Sequence, residues 1–234
     1  MSELCLVRAR LRRDRPAAAL APLLLPQDDG ARAGAAHRLI WSLFADSPDR
    51  RRDFLWRETN PGEFLALARR APADPHDLFH LDWKPFAPSL HAGQRLGFNL
   101  RANPTVSAPA AKGQRGKRHD AVTRAIAALP HEPCADQRRA QRAATTEAAA
   151  AAWLARQGER SGFAPDPDRL TTEAEDWVTI PRAGKPISFL ALTFEGVLTV
   201  HDPAAFLDRL CHGFGAAKAF GCGLMLIRPA PGAS

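Results

Sequence analysis

Residues 177–192 read WVTIPRAGKPISFLAL. Two runs rich in β-branched and apolar residues, WVTI and ISFLAL, flank a short turn of proline, glycine and basic residues. Runs of this kind around such a turn predict a β-hairpin, and the second strand continues toward Val200. Because the turn carries Arg182 and Lys185, the tip of the hairpin is predicted to be basic.

Outward from the hairpin, the second half of the chain has a regular order of elements. Residues 94–103 alternate as a strand, and a helix is predicted over about 136–158. After the hairpin, Asp202 is suited to cap a helix at 203–212, and residues 224–229 form a closing strand. The order strand–helix–strand–strand–helix–strand is the ferredoxin-like arrangement.

The first half follows the same order with one helix reduced. Strands are predicted over 3–11, around Phe54 and Phe64, and over 78–86. A helix over 32–46 has apolar residues at i, i+3, i+4 and i+7. The place of the second helix falls on the proline-containing stretch APADPHD, which is too proline-rich for a full helix.

We therefore expect an α+β protein with two tandem ferredoxin-like (RRM-like) domains. The predicted N-terminal domain is 1–90, and the predicted C-terminal domain is 94–230. Residues 107–120, which are small and basic, are predicted to form a surface loop between elements of the second domain.

The charge of the chain favours a polyanionic partner. Its net charge is +7 and its pI is about 9.9, and most of the basic residues are arginine, which binds phosphate in a bidentate fork. The four cysteines form no CxxC pair and the N-terminus is strongly charged, so no metal cluster, disulfide framework, signal sequence or membrane span is predicted. A cytoplasmic protein without cofactor or metal is expected.

A glycine-rich stretch, HGFGAAKAFGCGL, occupies residues 212–224. Glycine leaves room for a phosphate near the backbone, and amide groups of such a turn can bind anions, with Lys218 as an added positive charge. A tight turn without any ligand is the alternative. The stretch lacks the order of a P-loop and does not open a βαβ unit, so ATP and NAD sites are not predicted.

Among the eight histidines, His37 is the one predicted to take part in chemistry. It is expected in about the first turn of the first helix, where the helix dipole would keep the imidazole neutral. A neutral imidazole is what a general base requires. The alternative is a partly buried histidine packed against Trp41 at i+4.

Four ordered motifs resemble one family. HRLIWSLF from His37 and RDFLWR from Arg52 resemble the N-terminal half of the CasE proteins, the CRISPR repeat-RNA endoribonucleases of type I-E systems. LRANPT from Leu100 is similar to their mid-chain motif, and FEGVLTV followed by the glycine stretch is similar to their C-terminal signature. The resemblance covers nearly the whole chain except 107–175.

The resemblance implies tandem ferredoxin-like domains that cleave a repeat hairpin without metal at the 3′ base of the stem. It further implies that the product stays bound within Cascade, with the other Cascade subunits as partners. The family's catalytic histidine falls on His37, and its basic hairpin on the turn with Arg182 and Lys185. Its glycine-rich, RNA-contacting loop falls on the stretch that contains Gly213, Gly215, Lys218, Gly221 and Gly223, with Lys218 also a candidate for charge stabilisation.

One departure from the family concerns a tyrosine. Many members carry tyrosine three residues before the histidine, whereas this chain has no tyrosine and Gly34 occupies that position. Either catalysis rests on His37 with nearby basic groups, or the activity is weak. A non-catalytic RNA-hairpin-binding subunit of Cascade is therefore the alternative function, and a purely structural partner protein is a third.

Overall fold

The structure is a computed structural model that describes residues 4–14, 24–47, 49, 51–107, 118–130, 134–182 and 184–230. Two antiparallel sheets organise these residues, the first built from residues before 86 and the second from residues after 94. A short two-stranded ribbon accompanies the second sheet.

The first sheet contains four strands in the spatial order β2-β3-β1-β4. Its strands are β1 (Cys5–Leu11), β2 (Phe54–Asn60), β3 (Glu63–Ala68) and β4 (Phe79–Pro85). Helix α1 (Asp29–Ser42) packs on one face, where Val7, Ile40 and Phe64 are buried together. The strand order is that of a ferredoxin-like fold, and residues 69–78 contain no helix, as expected from their prolines.

The second sheet repeats this order as β11-β5-β10, with β8 and β9 both pairing to β10. Its strands are β5 (Arg95–Ala102), β8 (Phe163–Pro165), β9 (Thr171–Ile180), β10 (Ile187–Val200) and β11 (Met225–Pro229). Helices α2 (Ala121–Ala127) and α3 (Ala135–Glu159) lie between β5 and β8 in the chain, and α4 (Pro203–His212) precedes β11. The predicted tandem ferredoxin-like fold is thus confirmed.

Two element boundaries differ from the prediction in the first helix. The helix begins three residues earlier than predicted because Asp28 caps it, its side chain accepting a hydrogen bond from the Ala31 amide (2.7 Å). It ends at Ser42, where the Leu43 and Phe44 amides donate to the carbonyls three residues earlier, at Ile40 (3.3 Å) and Trp41 (2.9 Å). The chain then turns away, and the Leu43 carbonyl accepts from the Ala73 amide (2.9 Å).

The region between β5 and α3 also contains elements that the pattern did not predict. Helix α2 is short and capped by Asp120, whose side chain accepts from the Thr123 amide (2.8 Å). The two ends of the predicted surface loop pair as β6 (Thr105–Ser107) and β7 (Arg118–Asp120). The rest of that loop, with Lys112, Arg115 and Lys117, lies outside the described residues.

The two halves of the chain meet through two apolar clusters. Leu55 and Leu67 from the first sheet pack with Leu224 from the second. Ala33 of α1 packs against Ile180 and Phe189 of the β9–β10 hairpin. At Gly30 the helix approaches so closely that a β-carbon would collide with the carbonyl oxygen of Thr179 on β9. Helix α1 is therefore seated directly on the strand that leads into the basic turn.

Candidate active site and RNA-binding surface

Helix α1 presents His37 to a cavity of about 630 Å³ where it meets the glycine-rich stretch. The cavity brings together residues from both halves of the chain. Its lining consists of His37, Arg38, Trp41, Arg52, Ala217, Lys218 and Ala219. Two of the predicted site residues, His37 and Lys218, thus share one cavity although they lie in different halves of the sequence.

The His37 imidazole is held between two aromatic rings. Its ring centroid lies 6.0 Å from that of Trp41, the predicted i+4 neighbour, and 5.8 Å from that of Phe220. The Nδ1 atom is buried and has no hydrogen-bond partner. The ring is therefore fixed by packing from both sides.

The His37 pKa is lowered, chiefly because partial burial disfavours the charged ring. A backbone hydrogen bond at Ala219 opposes this by raising the pKa, while the positive charges of Arg52 and Arg38 lower it further. The imidazole is accordingly neutral at pH 7, as a general base requires. The predicted cause was wrong: the ring lies well past the first turn of Asp29–Ser42, beyond the reach of the helix terminus.

Lys218 opens a single 3-10 turn, Lys218–Phe220, at the other wall of the cavity. Its Nζ donates a hydrogen bond to the His212 carbonyl (2.7 Å). Burial lowers the Lys218 pKa to about 8, and the nearby charges of Arg209, Arg52 and Arg118 act in the same direction. Lys218 is therefore a cation at pH 7 that loses its charge within the alkaline range.

The LRANPT motif anchors the glycine-rich stretch. The Asn103 carbonyl accepts from the Ala216 amide (3.1 Å), and the Asn103 side chain donates to the Leu190 carbonyl (2.7 Å). Gly215 has φ of +70°, and a β-carbon there would collide with the Asn103 carbonyl oxygen. The mid-chain motif therefore sets the position of the segment that carries Lys218.

The glycines of this stretch are packed closely against the protein. Gly213, Gly221 and Gly223 are buried, and Gly215 is partly exposed. Several amides are used internally: Gly223 donates to the Arg101 carbonyl (2.7 Å), and Phe214 donates to the Gly223 carbonyl (3.0 Å). The glycines thus allow close backbone packing, and contact of this stretch with RNA stays a prediction.

Gly34 lies one turn before His37 on α1. A β-carbon there would meet only the Arg38 guanidinium, at 3.7 Å. The position of the family tyrosine is therefore bordered by a basic side chain, and Arg52 is a further cation that lines the same cavity. Sequence reasoning quoted Arg38 and Arg52 within motifs but gave them no role.

Arg182 and Lys185 lie in the turn between β9 and β10, and both are exposed, as predicted for a basic hairpin tip. Neither lines the His37 cavity. The close approach of Gly30 to Thr179 connects their hairpin to the helix of His37.

Two properties of the described residues concern metals and membranes. In the part of the chain that the structure describes, no three His, Cys, Asp or Glu side chains are grouped so that they would hold a metal ion. Among the same residues, no helix is both long enough and apolar enough to span a bilayer.

Comparison with known proteins identifies relatives over almost the whole chain. The Cascade subunit CasE of Escherichia coli strain K12 is 28% identical over 198 residues, which cover 82% of this chain and 90% of that protein. The CRISPR-associated endoribonuclease Cse3 of Thermus thermophilus is 34% identical over 160 residues, or 62% of this chain and 61% of that protein.

The solved structures of related proteins agree with this result. The structure of Thermus thermophilus Cse3 bound to an RNA representing a pre-cleavage complex has a TM-score of 0.63 at 26% identity, covering 97% of this chain and 100% of that chain. A structure of the endoribonuclease Cse3 bound to a 19-nucleotide RNA has a TM-score of 0.67 at 27% identity, with the same coverage. The model of the family described as CRISPR associated protein matches residues 4–229. The chain therefore belongs to the CRISPR-associated protein family, and its resemblance to the CasE proteins is confirmed.

Proposed function

We propose that this protein is a metal-independent endoribonuclease that cleaves CRISPR precursor RNA at the 3′ base of the repeat stem-loop. The observation that carries the proposal is the cavity that both His37, with a neutral imidazole, and Lys218, a cation at pH 7, line. The names of its relatives, a Cse3 endoribonuclease and a CasE subunit of Cascade, support the same activity.

The reaction begins when the ribose 2′-OH attacks the adjacent phosphorus. His37 removes the 2′ proton, the bond from phosphorus to the 5′ oxygen breaks, and an unidentified group or water protonates that oxygen. The products are a 2′,3′-cyclic phosphate and a 5′-hydroxyl. Because the nucleophile belongs to the RNA itself, in-line positioning supplies much of the rate, and the general base adds about 10²–10⁴-fold.

Negative charge that develops on the phosphorane oxygens is stabilised by the cations of the cavity. Lys218 is the main contributor, and Arg52 and Arg38 line the same space. These basic groups compensate for the tyrosine that Gly34 replaces.

Recognition depends on the A-form shape and phosphates of the stem. Arg182 and Lys185 on the exposed hairpin bind the stem backbone. The segment from Gly213 to Gly223, with Lys218, contacts the RNA near the cleaved phosphate. We assign His37 to a domain of residues 1–90 and the RNA-binding elements to a domain of residues 94–230. The protein retains the processed hairpin in the cytoplasm as a partner of the other Cascade subunits.

A second function, an RNA-hairpin-binding subunit without catalysis, is favoured by two features. Gly34 stands where many relatives have tyrosine, and the His37 Nδ1 atom is buried away from solvent. This alternative predicts tight hairpin binding without cleavage.

The test is incubation of the protein with its repeat hairpin in EDTA, followed by analysis of RNA length and 3′-end chemistry. Wild type should cleave once and leave a cyclic phosphate, while RNA with deoxyribose at the cleavage position should stay intact. His37→Ala should lower the single-turnover rate by about 10²–10⁴-fold and keep hairpin affinity. His201→Ala, at an exposed histidine outside the cavity, is the matched control and should cleave normally.

Two results would contradict the proposal. If His37→Ala cleaves the hairpin at the wild-type rate, His37 is not the general base. Tight binding of the intact hairpin by wild type, with no cut RNA at any time, favours the non-catalytic alternative.

A further inference from the structure

A second cavity, of about 530 Å³, lies on the other side of Phe220 from the catalytic cavity. Helix α1 borders both: Arg32 and Ala36 line the second cavity, whereas His37 and Trp41 line the first. Phe220 lines the second cavity while its ring lies 5.8 Å from that of His37. The two spaces therefore lie on either side of the contact between the His37 and Phe220 rings.

The second cavity has an exposed aromatic wall. Trp177, on β9, lines it with 54% of its surface exposed, and it is one of two large apolar side chains left so open among the described residues. Such an exposed indole is a stacking platform for a nucleic-acid base. It stands on the strand that leads to the basic turn at Arg182.

The remaining lining supplies charges and hydrogen-bonding groups. Arg32, Arg57 and Arg101 contribute three cations, and Glu58 contributes a carboxylate. Burial raises the pKa of Glu58, while the hydrogen bond from the Gly62 amide and the charges of Arg32 and Arg101 lower it. Trp56 is buried and also lines the cavity, and its Nε1 has no hydrogen-bond partner. Because this nitrogen is inaccessible, Trp56 contributes an aromatic wall to the cavity and no donor.

We propose that this cavity binds one unpaired nucleotide of the repeat RNA next to the stem, with its base stacked on Trp177 and its phosphate near Arg32 and Arg101. Its volume lies within the roughly 300–1,000 Å³ that is typical of small-ligand sites. Three cations against one carboxylate favour a ligand with a phosphate, and the Glu58 carboxylate is available to a donor on a base edge. The inference rests on the proposed function, because it assigns a subsite for the same RNA.

The site explains how cleavage is placed at the end of the stem. A-form duplex contacts alone leave the protein free to slide along the helix axis, because phosphates repeat regularly. An unpaired base held one side chain away from His37 fixes the junction between stem and flank at the catalytic cavity. Trp177 is thus a specificity-determining residue.

The experiment compares two RNAs that differ only in their unpaired flanks. Both carry deoxyribose at the cleavage position, so that binding is measured without cleavage. The first RNA has unpaired nucleotides on both sides of the stem, and the second is the stem-loop alone. Wild type, Trp177→Ala and Trp83→Ala are titrated with each. Trp83 is the matched control because it is 52% exposed and lines none of these cavities.

Trp177→Ala is expected to bind the flanked RNA about 5- to 150-fold more weakly, which corresponds to 1–3 kcal/mol for one stacked base. It should bind the stem-loop alone as wild type does, and Trp83→Ala should bind both RNAs normally. Trp177→Phe keeps an aromatic face and should retain most of the affinity. Trp177 also borders another cavity beside α2, so a second variant is needed. Of these cavities, Arg32 lines only the proposed nucleotide site, and Arg32→Gln should show the same selective loss of affinity for the flanked RNA.

The inference is overturned if Trp177→Ala binds the flanked RNA as tightly as wild type. It is equally overturned if the variant loses the same factor of affinity for the flanked RNA and for the stem-loop alone. It is also overturned if Arg32→Gln shows no selective loss, or if replacing flanking bases one at a time by abasic sites finds no position that mimics Trp177→Ala. Failure of the proposed function is distinguishable, since wild type would then leave a repeat RNA with ribose at the cleavage position uncut, whatever the binding titrations show. A Trp177 surface that instead binds a protein subunit gives unchanged RNA affinities.

Discussion

The decline of the cleavage rate at alkaline pH provides the sharpest test of the proposed role of Lys218. If its ammonium group stabilises the phosphorane, activity should fall as the group loses its proton. With a pKa of about 8, Lys218 is charged in about nine-tenths of molecules at pH 7 and in about one-tenth at pH 9. The contribution of its charge should therefore drop about tenfold over two pH units.

On the acidic limb the cleavage rate should rise with pH, because it depends on His37 instead of Lys218. His37 must be neutral to accept a proton, so the rate rises with pH through its pKa and is flat above it. Because burial lowers that pKa from 6.5, the rise should lie below pH 6.5. The profile is expected to be a bell with a short plateau between the two limbs.

The assay is single-turnover cleavage of the repeat hairpin at subsaturating protein from pH 5 to pH 10, in EDTA. Under these conditions the second-order rate constant reports the pKa values of the free enzyme. Lys218→Arg keeps its charge throughout this range, so its alkaline limb should disappear. Lys218→Met removes the charge and should be slower at pH 7, with no further decline to pH 9.

Two outcomes would refute the reasoning. One is a wild-type rate that stays constant between pH 7 and pH 10. The other is a Lys218→Met variant that matches wild type at pH 7 while retaining the alkaline limb. Circular dichroism at each pH separates loss of activity from unfolding.

Two further predictions concern binding and stability. Replacing Arg182 and Lys185 together by Ala should weaken hairpin binding and reduce the steepness of log affinity against log salt by about 1.4–1.8, the value for two lost phosphate contacts. An unchanged slope in a salt titration would contradict their assignment to RNA binding. Gly215→Ala should lower the free energy of unfolding by more than the roughly 1–2 kcal/mol of a left-handed alanine, because its β-carbon also collides with the Asn103 carbonyl. Gly93→Ala, which has a φ of +81° and open space around it, should show the backbone cost alone in urea denaturation, and equal costs at the two positions would argue against the collision.

The elements with strong local signals could be predicted from the sequence. The turn residues between β9 and β10 predict the hairpin that the structure contains. Asp202 caps α4, as its position in the sequence predicts, by accepting a hydrogen bond from the Ala205 amide (3.0 Å). The start of α1 was misplaced because Asp28 and Gly30 are typical of loops. Gly30 is in the helix for a tertiary reason, its close approach to Thr179, which local propensity does not encode.

The candidate site was predictable in part. The resemblance identified His37 and Lys218, but their convergence on one cavity depends on how the two sheets pack. The pKa of His37 is lowered by burial and by Arg52 rather than by the helix terminus, and neither cause is visible in the linear sequence. Phe220 and Trp177 were overlooked because a lone aromatic residue has no pattern that separates a core position from a cavity wall.

The contact between Gly30 and Thr179 limits how members of this family exchange parts. A chimera that joins the first half of one relative to the second half of another inherits a helix and a hairpin strand from different sources. Only a residue without a side chain fits where these two elements touch, so a relative with a larger residue on α1 needs a hairpin that sits farther away. A chimera therefore keeps this contact when its first half has glycine at position 30, and the helix with the proposed base is then seated on the strand that leads to the basic turn.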